Sequence, residues 1–133
     1  MSEARRSGVA ISALLPPLAY AGLIFFLSAQ SSFPMLPAGI FTYDKVIHCC
    51  EYAVLGLLVA RALELYGVRH FVLLGIAAGA LYGVSDELHQ YFVPGRSCDP
   101  FDALADTVGS SLGAVGWLAL AKRLHRFRQP RVI

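Results

Sequence analysis

The chain has 133 residues, 56% of them hydrophobic and only 15% charged, with a formal net charge of +2 at pH 7. A soluble domain carries about 25% charged residues, so this composition argues for a membrane protein and leaves a soluble four-helix protein as the lesser alternative. The small net charge conceals a strong polarity along the chain, because basic and acidic residues fall at opposite ends of the apolar segments.

The uncharged segment Gly8 to Ala29 exceeds the ~20 residues a helix needs to span a bilayer. Arg5 and Arg6 precede it in the manner of a signal peptide. It is long for a signal core, Pro16-Pro17 interrupts it, and Gln30-Ser31-Ser32 offers no convincing cleavage site. A retained first helix, kinked at the prolines, is the expectation. Asp44 to Leu65, Arg69 to Gln90 and Asp102 to Ala121 follow as three further spans whose outer turns carry acids. The fold expected is an all-α bundle of four transmembrane helices in one domain over residues 1–133. Gly75, Gly79 and Gly83 on the third helix, and Gly109, Gly113 and Gly116 on the fourth, form stripes that permit close helix packing. Those stripes fit pairing of helices 3 and 4, pairing of one of them with helix 2, or a homodimer seam. Trp117 suits an interfacial anchor.

Nine of the eleven Lys and Arg residues lie on one side: Arg5, Arg6, Arg61, Arg69, Lys122, Arg123, Arg126, Arg128 and Arg131. Only Lys45 and Arg96 lie on the other. The positive-inside rule then places both termini in the cytoplasm and the loops 30–43 and 93–101 outside. Residues 122–133 read as a basic cytoplasmic tail touching anionic headgroups; nucleic acid is a poor partner for so short a segment. Cys49, Cys50 and Cys98 lack zinc-type spacing. Cys98 could pair with Cys49 or Cys50 on an oxidising side, but small packing residues are the simpler reading.

Seven of the nine acidic residues gather at the outer ends of the apolar segments: Asp44, Glu51, Asp86, Glu87, Asp99, Asp102 and Asp106. Ionisable groups at membrane depth are costly, so such a cluster marks a functional site. Asp44, His48 and Glu51 are spaced i, i+4, i+7 and share one helical face, with Lys45 and Tyr52 flanking it. Asp86, His89 and Gln90 share a face with Glu87 to the side, and Asp102 and Asp106 begin the fourth helix. Like charges 4 Å apart repel by about 4 kcal/mol at an effective dielectric of 20. The cluster therefore calls for protonation, hydration or a bound cation. A divalent metal is one resolution, with Asp44, His48, Glu51, Asp86, Glu87 and His89 as the ligand pool. Without a metal, His48 serves as a general base oriented by a carboxylate, while Lys45 and Arg96 grip an anionic headgroup. A purely structural salt-bridge network is the competing reading.

The segments Asp44-Lys45-x-x-His48-x-x-Glu51-Tyr52, Asp86-Glu87-x-x-Gln90 and Pro94-Gly95-Arg96, followed by Asp102 and Gly109, resemble the VanZ-like family, with the resemblance running over about residues 44–116. That family is named for a protein associated with teicoplanin resistance, and its members are small multi-helix membrane proteins. Asp106 stands where the family often has Asn, and Cys49 where an aromatic is frequent. The resemblance implies a bacterial envelope role in the inner membrane. Combined with the polar stripes, it points to a membrane hydrolase or transferase acting on a lipid or lipid-linked glycan. His48, Glu51, Asp86 and Asp102 would carry the chemistry, and Lys45, Tyr52, Gln90 and Arg96 would hold the substrate. A non-catalytic binder or transporter of a lipid, ion or antibiotic, or a structural membrane module, are the alternatives.

Overall fold

The computed structural model describes residues 3–30 and 44–128, with side chains over 12–30 and 44–126. Four helices follow one another, α1 (Glu3–Ser28), α2 (Asp44–Leu65), α3 (Phe71–Gln90) and α4 (Pro100–Arg128), with no strand among the described residues. α2, α3 and α4 are long and apolar enough to cross a membrane, whereas α1 contributes a shorter apolar stretch, Ser12–Ser28. The 22 residues of α2 reach roughly 33 Å, against a hydrocarbon core of about 30 Å. The connection 31–43 and the side chains of Arg5, Arg6, Arg128 and Arg131 lie outside the described residues.

Local chemistry sets the helix ends. α1 runs through Pro16-Pro17 without a break. α2 stops in a Schellman turn: Val68 N–H donates to the Leu63 carbonyl at 3.0 Å and Gly67 N–H to the Glu64 carbonyl at 2.8 Å. Gly67 takes the φ of +76° that this turn requires. Asp99 caps α4 by accepting the Phe101 N–H at 2.9 Å, and Pro100 occupies the first helical position, where no donor is needed. α4 outruns the expected end at Ala121 because neither Gly nor Pro follows until Pro130. Lys122, Arg123 and Arg126 thus continue the helix as exposed residues rather than starting a separate tail.

The helices run up and down, so the end of α1, the start of α2, the end of α3 and the start of α4 share one end of the bundle. α2 is central and packs on all three others. The packing is inside-out relative to a water-soluble bundle. Leu81 and Leu73 are 72% and 66% exposed, while Asp106 and Ser110 are fully buried. An apolar exterior around a polar interior is stable where the surrounding solvent is hydrocarbon. The buried apolar cluster is small, comprising Ile24, Tyr52 and Leu55, with Tyr20, Ala21, Val59 and Tyr82 against it.

Glycines set the helix spacing. A Cβ on Gly113 would lie 2.8 Å from Ala53 C and 2.8 Å from Leu57 N, and one on Gly109 would lie 2.9 Å from Cys49 C and 3.0 Å from Ala53 N. These neighbours are backbone, so α4 rests directly on α2 along the Gly109-x-x-x-Gly113 face. α3 meets α4 through Gly79 and Gly83. Gly109→Ala and Gly113→Ala are each expected to cost roughly 1–3 kcal/mol, because the clash is with main chain that cannot rotate away. Gly116, with nothing within 4 Å of an added Cβ, is the control. Chemical unfolding in detergent distinguishes them, and equal stability of all three variants would refute the close approach.

Candidate functional site

At the common end of the bundle, α2 presents Asp44, Lys45, His48, Glu51 and Tyr52 along one side. His48 is buried, and its Nδ1 lies 2.9 Å from Asp106 Oδ1 on α4. Its Nε2 faces Asp44 Oδ1 at a looser 3.9 Å. Asp106 fits beside α3 only because residue 83 is glycine: a Cβ there would lie 2.7 Å from Asp106 Cβ and Oδ2. The small-residue stripe of α3 thus doubles as the seat of a carboxylate.

Lys45 closes the rim. Its Nζ is 2.7 Å from Asp99 Oδ2 and 2.8 Å from Asp102 Oδ1, bridging the 91–99 connection to α4. The Lys45 ammonium, and after it the Phe101 N–H, hold the Asp99 carboxyl below the usual carboxylate range. Asp102 is buried beneath this contact.

From α3, Asp86, Glu87 and Gln90 all point inward and are buried. Asp86 Oδ2 accepts from Ser28 Oγ of α1 at 2.7 Å and from Gln90 Nε2 at 3.2 Å. Glu87 Oε2 accepts the Asp99 N–H at 2.7 Å. Glu51 is half-buried within electrostatic reach of His48, Asp86, Asp106 and Arg96. The buried Tyr52 ring stands 6.2 Å from Tyr82, and the charges of Asp86 and Asp106 act on its hydroxyl. His48, Glu51, Tyr52, Asp86, Gln90, Arg96 and Asp102 are therefore neighbours, with Lys45 at their edge.

His89 stands apart. It stacks on Phe25 of α1, with ring centroids 4.2 Å apart, and so faces α1 rather than the acids. Two groups place three ligand atoms within 4.8 Å of one another: Asp44, His48 and Asp102, and His48, Glu87 and Asp106. Glu51, Asp86 and His89 belong to neither. Cys49, Cys50 and Cys98 are free thiols.

One contributor was hidden in the sequence, and so was one pairing. Ser28 lies at the end of an apolar run far from every motif, and nothing local marks it. Asp106 had a visible signal, since Asp102, Asp106 and Ser110 recur every fourth residue on α4, but its pairing with His48 depends on helix register. The opposite end holds a separate contact set: Trp117 Nε1 donates to Glu64 Oε2 at 2.7 Å, and Arg61 lies over the indole at 5.9 Å.

Several cluster oxygens have no hydrogen-bond partner among the described residues: Asp86 Oδ1, Glu87 Oε1, Asp106 Oδ2, the Tyr52 hydroxyl and Ser110 Oγ. Buried polar atoms are normally satisfied, so their concentration at this end of the bundle calls for an explanation. No curated protein and no solved structure matches the chain. The model of the VanZ/LLP1 family matches residues 4–122, taking in α1 as well as the segment that carries the motifs. The match covers nearly the whole chain, which belongs to the VanZ/LLP1 family.

Proposed function

We propose that this protein crosses the bacterial inner membrane four times, with both termini in the cytoplasm and the polar end of the bundle opening outward. There it acts as a hydrolase or transferase on the headgroup of a lipid or lipid-linked glycan. The orientation is supported by Arg61, Arg69, Lys122, Arg123 and Arg126, all at the end opposite the acids. The envelope substrate is supported by membership of a family whose name derives from glycopeptide resistance, although resistance itself is not part of this reading.

The observation that carries an enzymatic role is the buried His48 held through Nδ1 by Asp106 at 2.9 Å. A carboxylate that fixes one ring nitrogen leaves the other aimed for proton transfer, as in acid–base and nucleophilic catalysis. Glu51, Asp86 and Asp102 surround the imidazole as further proton carriers or orienting groups. Lys45 is exposed at the rim, where its ammonium can meet an anionic headgroup as the substrate arrives. Gln90, Arg96 and Tyr52 supply the remaining polar contacts.

The test is turnover. Purified protein in nanodiscs made with total envelope lipid should generate a new headgroup species by mass spectrometry, and His48→Ala should not. Saturable lipid binding with no product would favour a binder or transporter, and the absence of both turnover and binding would remove the lipid reading.

A further inference from the structure

We propose that His48, Glu87 and Asp106 form a site for one divalent transition-metal ion, of the kind that accepts mixed nitrogen and oxygen ligands. Their ligand atoms lie within 4.8 Å of one another, and all three side chains are buried. Each comes from a different helix, so the ion would tie α2, α3 and α4 together at one point. The inference does not depend on the lipid substrate, and its test uses none.

Acidic clusters are common, so the argument rests on what surrounds this one. Glu87 Oε1 and Asp106 Oδ2 have no hydrogen-bond partner among the described residues, although Glu87 is 3% exposed and Asp106 is fully buried. Two hydroxyls outside the triad are in the same condition. Those of Tyr52 and Ser110 are fully buried and unpartnered, Tyr52 within reach of the Asp106 charge and Ser110 one turn along α4. Leaving a buried oxygen unmade costs about 1–3 kcal/mol. A dication between His48, Glu87 and Asp106 would satisfy the two carboxylate oxygens of the triad.

The geometry suits an ion. Two ligand atoms at about 2.1 Å from a metal are about 3.0 Å apart at an octahedral angle and about 3.4 Å apart at a tetrahedral one. His48 Nδ1 and Asp106 Oδ1 are 2.9 Å apart. Glu87 is already braced, since its other oxygen accepts the Asp99 N–H at 2.7 Å.

The alternative triplet, Asp44, His48 and Asp102, is the poorer site. Asp102 Oδ1 is engaged by Lys45 Nζ at 2.8 Å, so a dication there would face an ammonium. One imidazole with two carboxylates suits Zn2+, Mn2+ or Fe2+ better than Mg2+ or Ca2+, which take oxygen ligands.

Chelator-treated full-length protein in detergent should bind one equivalent of Zn2+ by calorimetry, with excess Mg2+ failing to displace it. Co2+ in place of Zn2+ should give visible ligand-field bands. Glu87→Gln and Asp106→Asn should each weaken Zn2+ binding at least ~100-fold, the upper range seen on disturbing outer-shell partners. Asp44→Asn should retain the full equivalent. Glu87→Gln keeps an oxygen for the Asp99 N–H and is the informative variant should Asp106→Asn not fold. The proposal is overturned if the wild-type protein shows no saturable one-equivalent site. It is equally overturned if Asp44→Asn abolishes binding while Glu87→Gln leaves it unchanged.

Discussion

Replacing His48 by alanine is expected to cost the folded protein roughly 3 kcal/mol, because a buried carboxylate is left without its hydrogen-bond partner. The cost arises less from the lost contact than from what is left behind. Asp106 is fully buried, and His48 Nδ1 is its hydrogen-bond partner. Without His48 the carboxylate remains inside with Asp86 and Asp102 as charged neighbours and no hydrogen-bond partner among the described residues. If that is the cause, neutralising Asp106 should recover stability. The double variant His48→Ala/Asp106→Asn should regain at least half of the loss, because the amide keeps the shape and sheds the charge. Chemical unfolding of the two single variants and the double variant in detergent measures the coupling directly. Strictly additive losses would show that packing around the ring matters and the charge pairing does not. Both His48→Ala and the double variant should lack lipid turnover, which separates the catalytic role of the ring from its effect on the fold.

Much of this architecture was legible because membrane helices announce themselves through length and composition. α2 was readable to the residue, since Asp44 opens it and the Gly67 turn closes it. The start of α3 falls at Phe71 rather than Arg69, because Tyr66 to His70 are taken up by the turn that ends α2 and the approach to the next helix. The polar stripes were also legible, since i, i+4, i+7 spacing is a property of a single helix. Which stripe residue meets which was not. The pairing of His48 with Asp106, rather than with Asp102, is set by how far α4 slides along α2. That slide is fixed by Gly109 and Gly113 against the backbone of Cys49, Ala53 and Leu57. Such register belongs to the assembled bundle and has no local signature. Glu87 looked peripheral for the same reason: it lies to the side of the Asp86, His89, Gln90 stripe, yet the rotation of α3 buries it and turns His89 toward Phe25.

Glu87→Gln should have the opposite profile, with function lost and stability unchanged or raised. Glu87 Oε2 accepts the Asp99 N–H at 2.7 Å, and an amide oxygen can take its place. Glu87 Oε1 has no partner among the described residues, so an amide nitrogen there breaks no hydrogen bond. The substitution also removes a negative charge from among Asp102 and Asp106. Like charges at about 4 Å repel by about 4 kcal/mol at an effective dielectric of 20, a repulsion that the Asp99 N–H and the attraction to His48 offset in part. Sites shaped for function commonly hold such unfavourable arrangements, so their removal stabilises. Residues that merely pin helices together behave otherwise, because cutting one leaves its partner exposed to the full desolvation penalty. Asp102 is a case of the second kind, since Asp102→Asn weakens its hold on Lys45. Thermal melts and the nanodisc turnover assay on Glu87→Gln, Asp102→Asn and the wild type therefore read the two roles separately. A Glu87→Gln protein that is as stable as the wild type and inactive assigns the carboxylate to function. A Glu87→Gln protein that loses stability and activity in proportion would make the cluster a structural lock between three helices.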